Sequence, residues 1–121
     1  MNILFVSMTS ILLSVAAQFC LKAGMSSLEV QSALAATPTL RTGLIVLTNR
    51  YVLGGFLLYG LGAVIWLAVL ARWDVSKAYP LVGLGFVLTL LVGLIQGEQI
   101  GIARTMGVLL IAAGVYLVSR S

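Results

Sequence analysis

The chain has 121 residues, of which 61% are hydrophobic and 8% charged; seven Lys and Arg against three acids give a net charge of +4. A soluble domain carries roughly a quarter of its residues as charges, so this chain cannot cover its surface with water-compatible groups and needs the bilayer as its solvent. The basic residues form no run, which argues against nucleic acid; one cysteine excludes an internal disulfide, and the absence of histidine excludes histidine bases and histidine metal ligands.

A helix needs about 20 mostly apolar residues to cross the hydrocarbon core. Four such segments fit, with little left over for a water-phase domain. The reading is one all-α transmembrane domain over residues 1–121, with spans at about 2–22, 51–71, 76–95 and 102–118. Alternation of period two is missing, so a β-barrel is not expected.

The first span lacks a Lys or Arg at its start and is longer than a signal-peptide core, so a retained helix is expected. Ser7, Ser10, Ser14 and Gln18 step by 3, 4 and 4 and share one face, which Lys22 closes. A serine hydroxyl can bond back to its own helix, which is ordinary. A lipid-facing Gln is costly, so Gln18 should face the bundle, a partner subunit or a polar cavity. It is either helix–helix glue or a cavity wall.

Residues 26–48 are too polar to span. Leu28, Ala35, Leu40, Leu44 and Leu47 still give this segment apolar faces. It reads as two interfacial amphipathic pieces with a break near Pro38; the alternative is a long loop.

The second span carries Trp66 nearer its middle than its end, where it either fills a cavity or packs on a glycine surface. Gly54, Gly55, Gly60 and Gly62 on this span permit close helix approach. The third span opens D-V-S-K-A-Y-P-L. Pro80 is expected in its first turn, where the missing N–H costs little. Lys77 and Tyr79 lie near the interface, either as snorkelling and aromatic-belt residues or as contacts for a phosphate. On the fourth span, Ala103, Gly107 and Gly114 form a small-residue packing seam, internal or between subunits.

No Asp or Glu lies inside a span; Glu98 ends one and Asp74 sits in a turn. A proton antiporter of cationic drugs therefore lacks its obvious carboxylate. Neither a cofactor nor a bound metal is expected, and without paired acids or histidine an enzyme is not expected either. Orientation is undecided by charge: Arg72, Lys77 and Arg120 fall on one side and Lys22, Arg41, Arg50 and Arg104 on the other.

These residues together resemble the drug/metabolite transporter superfamily in its four-helix form. The small multidrug resistance branch shares a first helix closed by Lys, here Lys22, and a glycine seam used for dimerisation, here Gly107 and Gly114. Its essential first-helix Glu falls on Ser14. A second branch fits better: the EamA-like ArnE and ArnF subunits of the flippase for undecaprenyl-phosphate-linked aminoarabinose. They resemble this chain in S-V-A-A-Q-F-C-L-K (Ser14 to Lys22), in S-K-A-Y-P-L (Ser76 to Leu81) and in the long first connection.

The resemblance implies movement of a polyprenyl-phosphate-linked sugar across the bacterial inner membrane. Its substrate-binding residues would be Ser10, Ser14, Gln18, Lys22, Trp66, Lys77 and Tyr79. The partners implied are the lipid-linked sugar phosphate, membrane lipids and a second four-helix subunit, as homodimer or heterodimer. An exporter of small cations or metabolites is the alternative, and a non-transporting membrane adaptor is a further one.

Overall fold

The computed structural model describes residues 2–36 and 39–121. Its helices are α1 (Ile3–Met25), α2 (Leu28–Ala35), α3 (Leu40–Thr48), α4 (Arg50–Leu70), α5 (Val75–Ala78), α6 (Leu84–Ile95) and α7 (Ile102–Arg120). A 3-10 turn, Tyr79–Gly83, joins α5 to α6. No strand occurs among the described residues, and α1, α4, the α5–α6 unit and α7 are each long and apolar enough to cross a bilayer. The expected fold class is borne out, and the chain is a multi-pass membrane protein.

Large apolar side chains cover the outside, such as Leu57, 76% exposed, and Leu110, 71% exposed. In water that surface would be prohibitive; in lipid it is the solvent-facing side. The protein interior is correspondingly small. α1 is the central helix: it packs along α4 on one side and against α6 on another, while α7 rests on the 3-10 turn and α6. In the most apolar stretch of α1, 33% of residues are buried, against 6% in α7.

Small residues set the α1–α4 contact. A Cβ on Gly55 would lie 2.7 Å from the Leu21 side chain and 3.1 Å from the Ala17 carbonyl; one on Gly62 would lie 3.2 Å from the Ser10 carbonyl. Without a hydrophobic force between helices in lipid, such close backbone approach supplies much of the association. Ser10, 5% exposed, adds a hydroxyl that donates to the Gly62 carbonyl at 2.6 Å.

The connection between α1 and α4 is anchored by caps. Ser27 precedes α2 and accepts from the Val30 N–H, while its hydroxyl donates to the Gly24 carbonyl. Asn49 precedes α4, and its Oδ1 accepts from the N–H groups of Tyr51 and Val52. The Asn49 amide also donates to the Ser27 hydroxyl at 3.3 Å, joining the two caps. Val30 of α2 is fully buried, whereas Leu28, Leu34, Leu40, Leu44 and Leu47 remain exposed. The break expected at Pro38 lies outside the described residues. Asn49→Ala is expected to destabilise the fold by about 1–2 kcal/mol, the upper range for a lost N-cap, because two helix starts share this side chain. Denaturant titration in detergent micelles, followed by tryptophan fluorescence, checks it.

The third span departs from the sequence expectation of a regular helix with Pro80 in its first turn. Pro80 lies a full turn further in, after Val75–Ala78 has already wound as α-helix. It offers no N–H to the Ser76 carbonyl, and the chain tightens to 3-10 winding over Tyr79–Gly83. In that winding residues three apart eclipse, which brings Tyr79 and Val82 onto one face.

Candidate functional site

Because α4 and α6 both pack on α1 but not extensively on each other, a slot remains between α4 and the third span. α1 is its floor. At mid-depth the slot widens to a pocket of about 340 Å³, within the roughly 300–1,000 Å³ common for small-molecule sites. Ser10, Ile11 and Ser14 form its floor; Tyr59, Gly62 and Trp66 form the α4 wall; Tyr79 and Val82 form the wall of the 3-10 turn.

Four of the sequence-selected residues therefore converge: Ser10, Ser14, Trp66 and Tyr79. Their conditions differ. The Ser10 proton is committed to Gly62, so this hydroxyl offers the pocket only acceptor capacity. Ser14 makes a long 3.3 Å bond to the Ile11 carbonyl, which a better acceptor can displace. Trp66 is half-buried and touches both apolar clusters of the interior, one around Ile11 and Val115 and one around Val6 and Val69. Tyr79 is 68% exposed and can swing. The chemistry available is hydroxyl and aromatic, with no charged side chain in the lining. That combination suits a polyol ring laid on an indole face.

Three selected residues stand outside this pocket. Gln18 and Lys22 follow Ser14 by one and two turns on the same face of α1, and both are exposed. Gln18 is therefore not buried as helix–helix glue within one chain. Lys77 lies at the other end of the bundle, beside Ala78, which packs with Val6 and Val69. Its Nζ sits 4.5 Å from the centre of the Trp73 ring, a cation–π contact that leaves ammonium protons for another acceptor. Lys22 lies at the opposite end, just before Gly24, where a Cβ would meet Asn49 and Val52.

The seam on α7 is not used inside the chain. A Cβ on Gly107 or Gly114 would meet nothing within 4 Å, and Ala103 is exposed. Gly83, by contrast, is the internal contact, where a Cβ would lie 2.8 Å from Val115 and 2.9 Å from Ile111. Tyr59 was not singled out by sequence. The signal existed, since Tyr59, Gly62, Ala63 and Trp66 recur at spacings of three and four on one helix face.

No family model and no solved structure matches the chain. Curated proteins do. The probable 4-amino-4-deoxy-L-arabinose-phosphoundecaprenol flippase subunit ArnE of Pseudomonas savastanoi pv. phaseolicola is 45% identical over 62 residues, covering 50% of this chain and 54% of that protein. Over half its length, this chain is similar to proteins named as ArnE flippase subunits. The ArnE protein of Pseudomonas syringae pv. syringae is 42% identical over 62 residues, 50% of this chain and 57% of its own. That of Pseudomonas aeruginosa (strain UCBPP-PA14) is 44% identical over 63 residues, 51% and 55% respectively. The chain spans about half the length of the curated relatives it matches. These relatives bear out the resemblance to ArnE-type subunits seen in the motifs Ser14–Lys22 and Ser76–Leu81.

Proposed function

We propose that the chain is a flippase subunit, not an enzyme, which moves a polyprenyl-phosphate-linked sugar across the bacterial inner membrane. The observation that carries this reading is the slot itself. It has a polar floor and aromatic walls, and it opens sideways between α4 and the third span. A headgroup can travel along such a slot while an isoprenoid tail stays in lipid. The names of the ArnE-type relatives support the same substrate class.

In this mechanism Ser14 and Gln18 donate hydrogen bonds to the sugar. Trp66 and Tyr79 pack on its ring. Lys22 and Lys77 meet the phosphate near opposite membrane faces, as their placement at opposite ends of the bundle allows. The lining holds no carboxylate to repel an anion. A second four-helix subunit, identical or sister, completes the transporter and covers the Ala103, Gly107 and Gly114 face of α7.

The test is transbilayer movement of a short-chain polyprenyl-phosphate sugar in liposomes holding the full chain. Wild type is expected to move it, and Ser14→Ala to slow movement about three- to tenfold, the value of one hydrogen bond. Export of a cationic dye under a pH gradient, with no lipid movement, would overturn the reading.

A further inference from the structure

A second pocket, of about 360 Å³, lies beneath the α6–α7 turn and shares no residue with the slot. Its walls are apolar, with Phe19, Phe86, Leu90 and Ile111 among them, and the lining also carries Glu98 and Arg104. Local chain chemistry seats the carboxylate. α6 ends in a Schellman motif: Gly97 adopts φ +85°, its N–H donates to the Leu94 carbonyl at 3.2 Å, and the Glu98 N–H donates to the Gly93 carbonyl at 2.9 Å.

In that motif an apolar contact usually joins the residues that stand here as Gly93 and Glu98. Here the contact is a carboxylate on a glycine. A Cβ on Gly93 would lie 3.0 Å from the Glu98 carboxyl carbon, so only glycine admits this side chain without displacement. The charges are also misplaced for helix stability. Glu98 follows the negative C-terminal end of α6, and Arg104 occupies the first turn of α7, at its positive end. Among the described residues no ion pair joins the two. Both side chains are exposed, and helix stability favours the reverse arrangement.

We propose that this pocket is a headgroup site for a lipid-linked amino-sugar phosphate, in which Glu98 takes the ammonium and Arg104 the phosphate. This rests on the reading of the chain as a lipid-phosphate flippase subunit. It adds a station at the end of the bundle opposite Lys77, and it makes the amine a recognised group. A neutral sugar phosphate leaves Glu98 unpaired, and a simple cation meets Arg104. The apolar walls take the first units of the prenyl chain.

The experiment measures binding to the full chain in phosphatidylglycerol nanodiscs. Two probes are used: a short-chain prenyl phosphate carrying an amino sugar, and its N-acetylated counterpart. Glu98→Gln is expected to weaken the amino probe about tenfold and leave the N-acetyl probe within about twofold, the loss of one charge-assisted bond. Arg104→Gln is expected to weaken both. Gly93→Ala, which pushes the carboxylate aside but keeps its charge, is expected to weaken the amino probe alone. The tryptophan emission of each variant reports folding independently.

Equal affinity of Glu98→Gln and wild type for the amino probe overturns the site and leaves the flippase reading standing. So does displacement of that probe by phosphatidylethanolamine at equal mole fraction, which marks a bulk-lipid site. Wild type binding neither probe overturns both readings.

Discussion

Gly55→Leu is expected to prevent assembly of the bundle, whereas Gly107→Leu leaves the fold of a single chain intact. The two glycines look alike in sequence, each in an apolar span with small neighbours. Their surroundings differ. At Gly55 even a Cβ collides with Leu21 and presses on the Ala17 carbonyl, and the latter is helix backbone that cannot rotate away. A leucine adds three further carbons into the same space. Overpacking typically costs about 1–3 kcal/mol where side chains can adjust, and more is expected where two helix axes must separate. Separation also breaks the Ser10–Gly62 bond, because α1 and α4 move apart along their whole contact. At Gly107 the added side chain enters open space. Denaturant unfolding in micelles and trypsin sensitivity distinguish the two variants. If Gly107→Leu also loses transport while remaining folded, the open face of α7 serves a second subunit.

Trp66→Ala is expected to abolish transport and to lower stability by about 2–3 kcal/mol, below the roughly 3–5 kcal/mol of a fully buried aromatic because Trp66 is half-buried. Trp66 and Trp73 both touch the two apolar clusters, and of the pair only Trp66 walls the slot. Truncation therefore confounds packing with binding. Two further variants separate them. Trp66→Phe and Trp66→Leu forfeit comparable packing, but only Phe keeps a ring. With a ring stacked on the sugar, Trp66→Phe retains a reduced rate and Trp66→Leu falls to background. Equal rates for the two would remove the stacking role and leave Trp66 as a packing residue. The readout is initial flipping rate, normalised to folded protein by fluorescence or circular dichroism.

The polar stripe of α1 shows how far sequence carries. Spacing places Ser10, Ser14 and Gln18 on one face, and the structure keeps them there. It then gives them different work. Ser10 faces a glycine gap on α4 and donates to a carbonyl. Ser14 lies one turn on, at the slot floor, and Gln18 lies a further turn on, outside the pocket and exposed. Nothing in a period of 3.6 says where a neighbouring helix ends its contact. Glu98 was legible as a span-ending acid but not as a pocket residue. Its position follows from the 3-D course of one turn, in which Gly97 and Gly93 act together.

Sequence alone determined the number of spans and their apolar character, and it left the polar connection between the first two as either two helical pieces or a long loop. Those features depend on the transfer of each segment into hydrocarbon, a property of about 20 consecutive residues regardless of neighbours. Only the tertiary structure decided which faces pair, that Gly55 and Gly62 pack internally while Gly107 and Gly114 do not, and where the slot lies. The reason is that lipid and protein interior are almost equally apolar. Hydropathy cannot tell a lipid-facing leucine from a packed one, and helix association rests on steric fit between surfaces far apart in the chain.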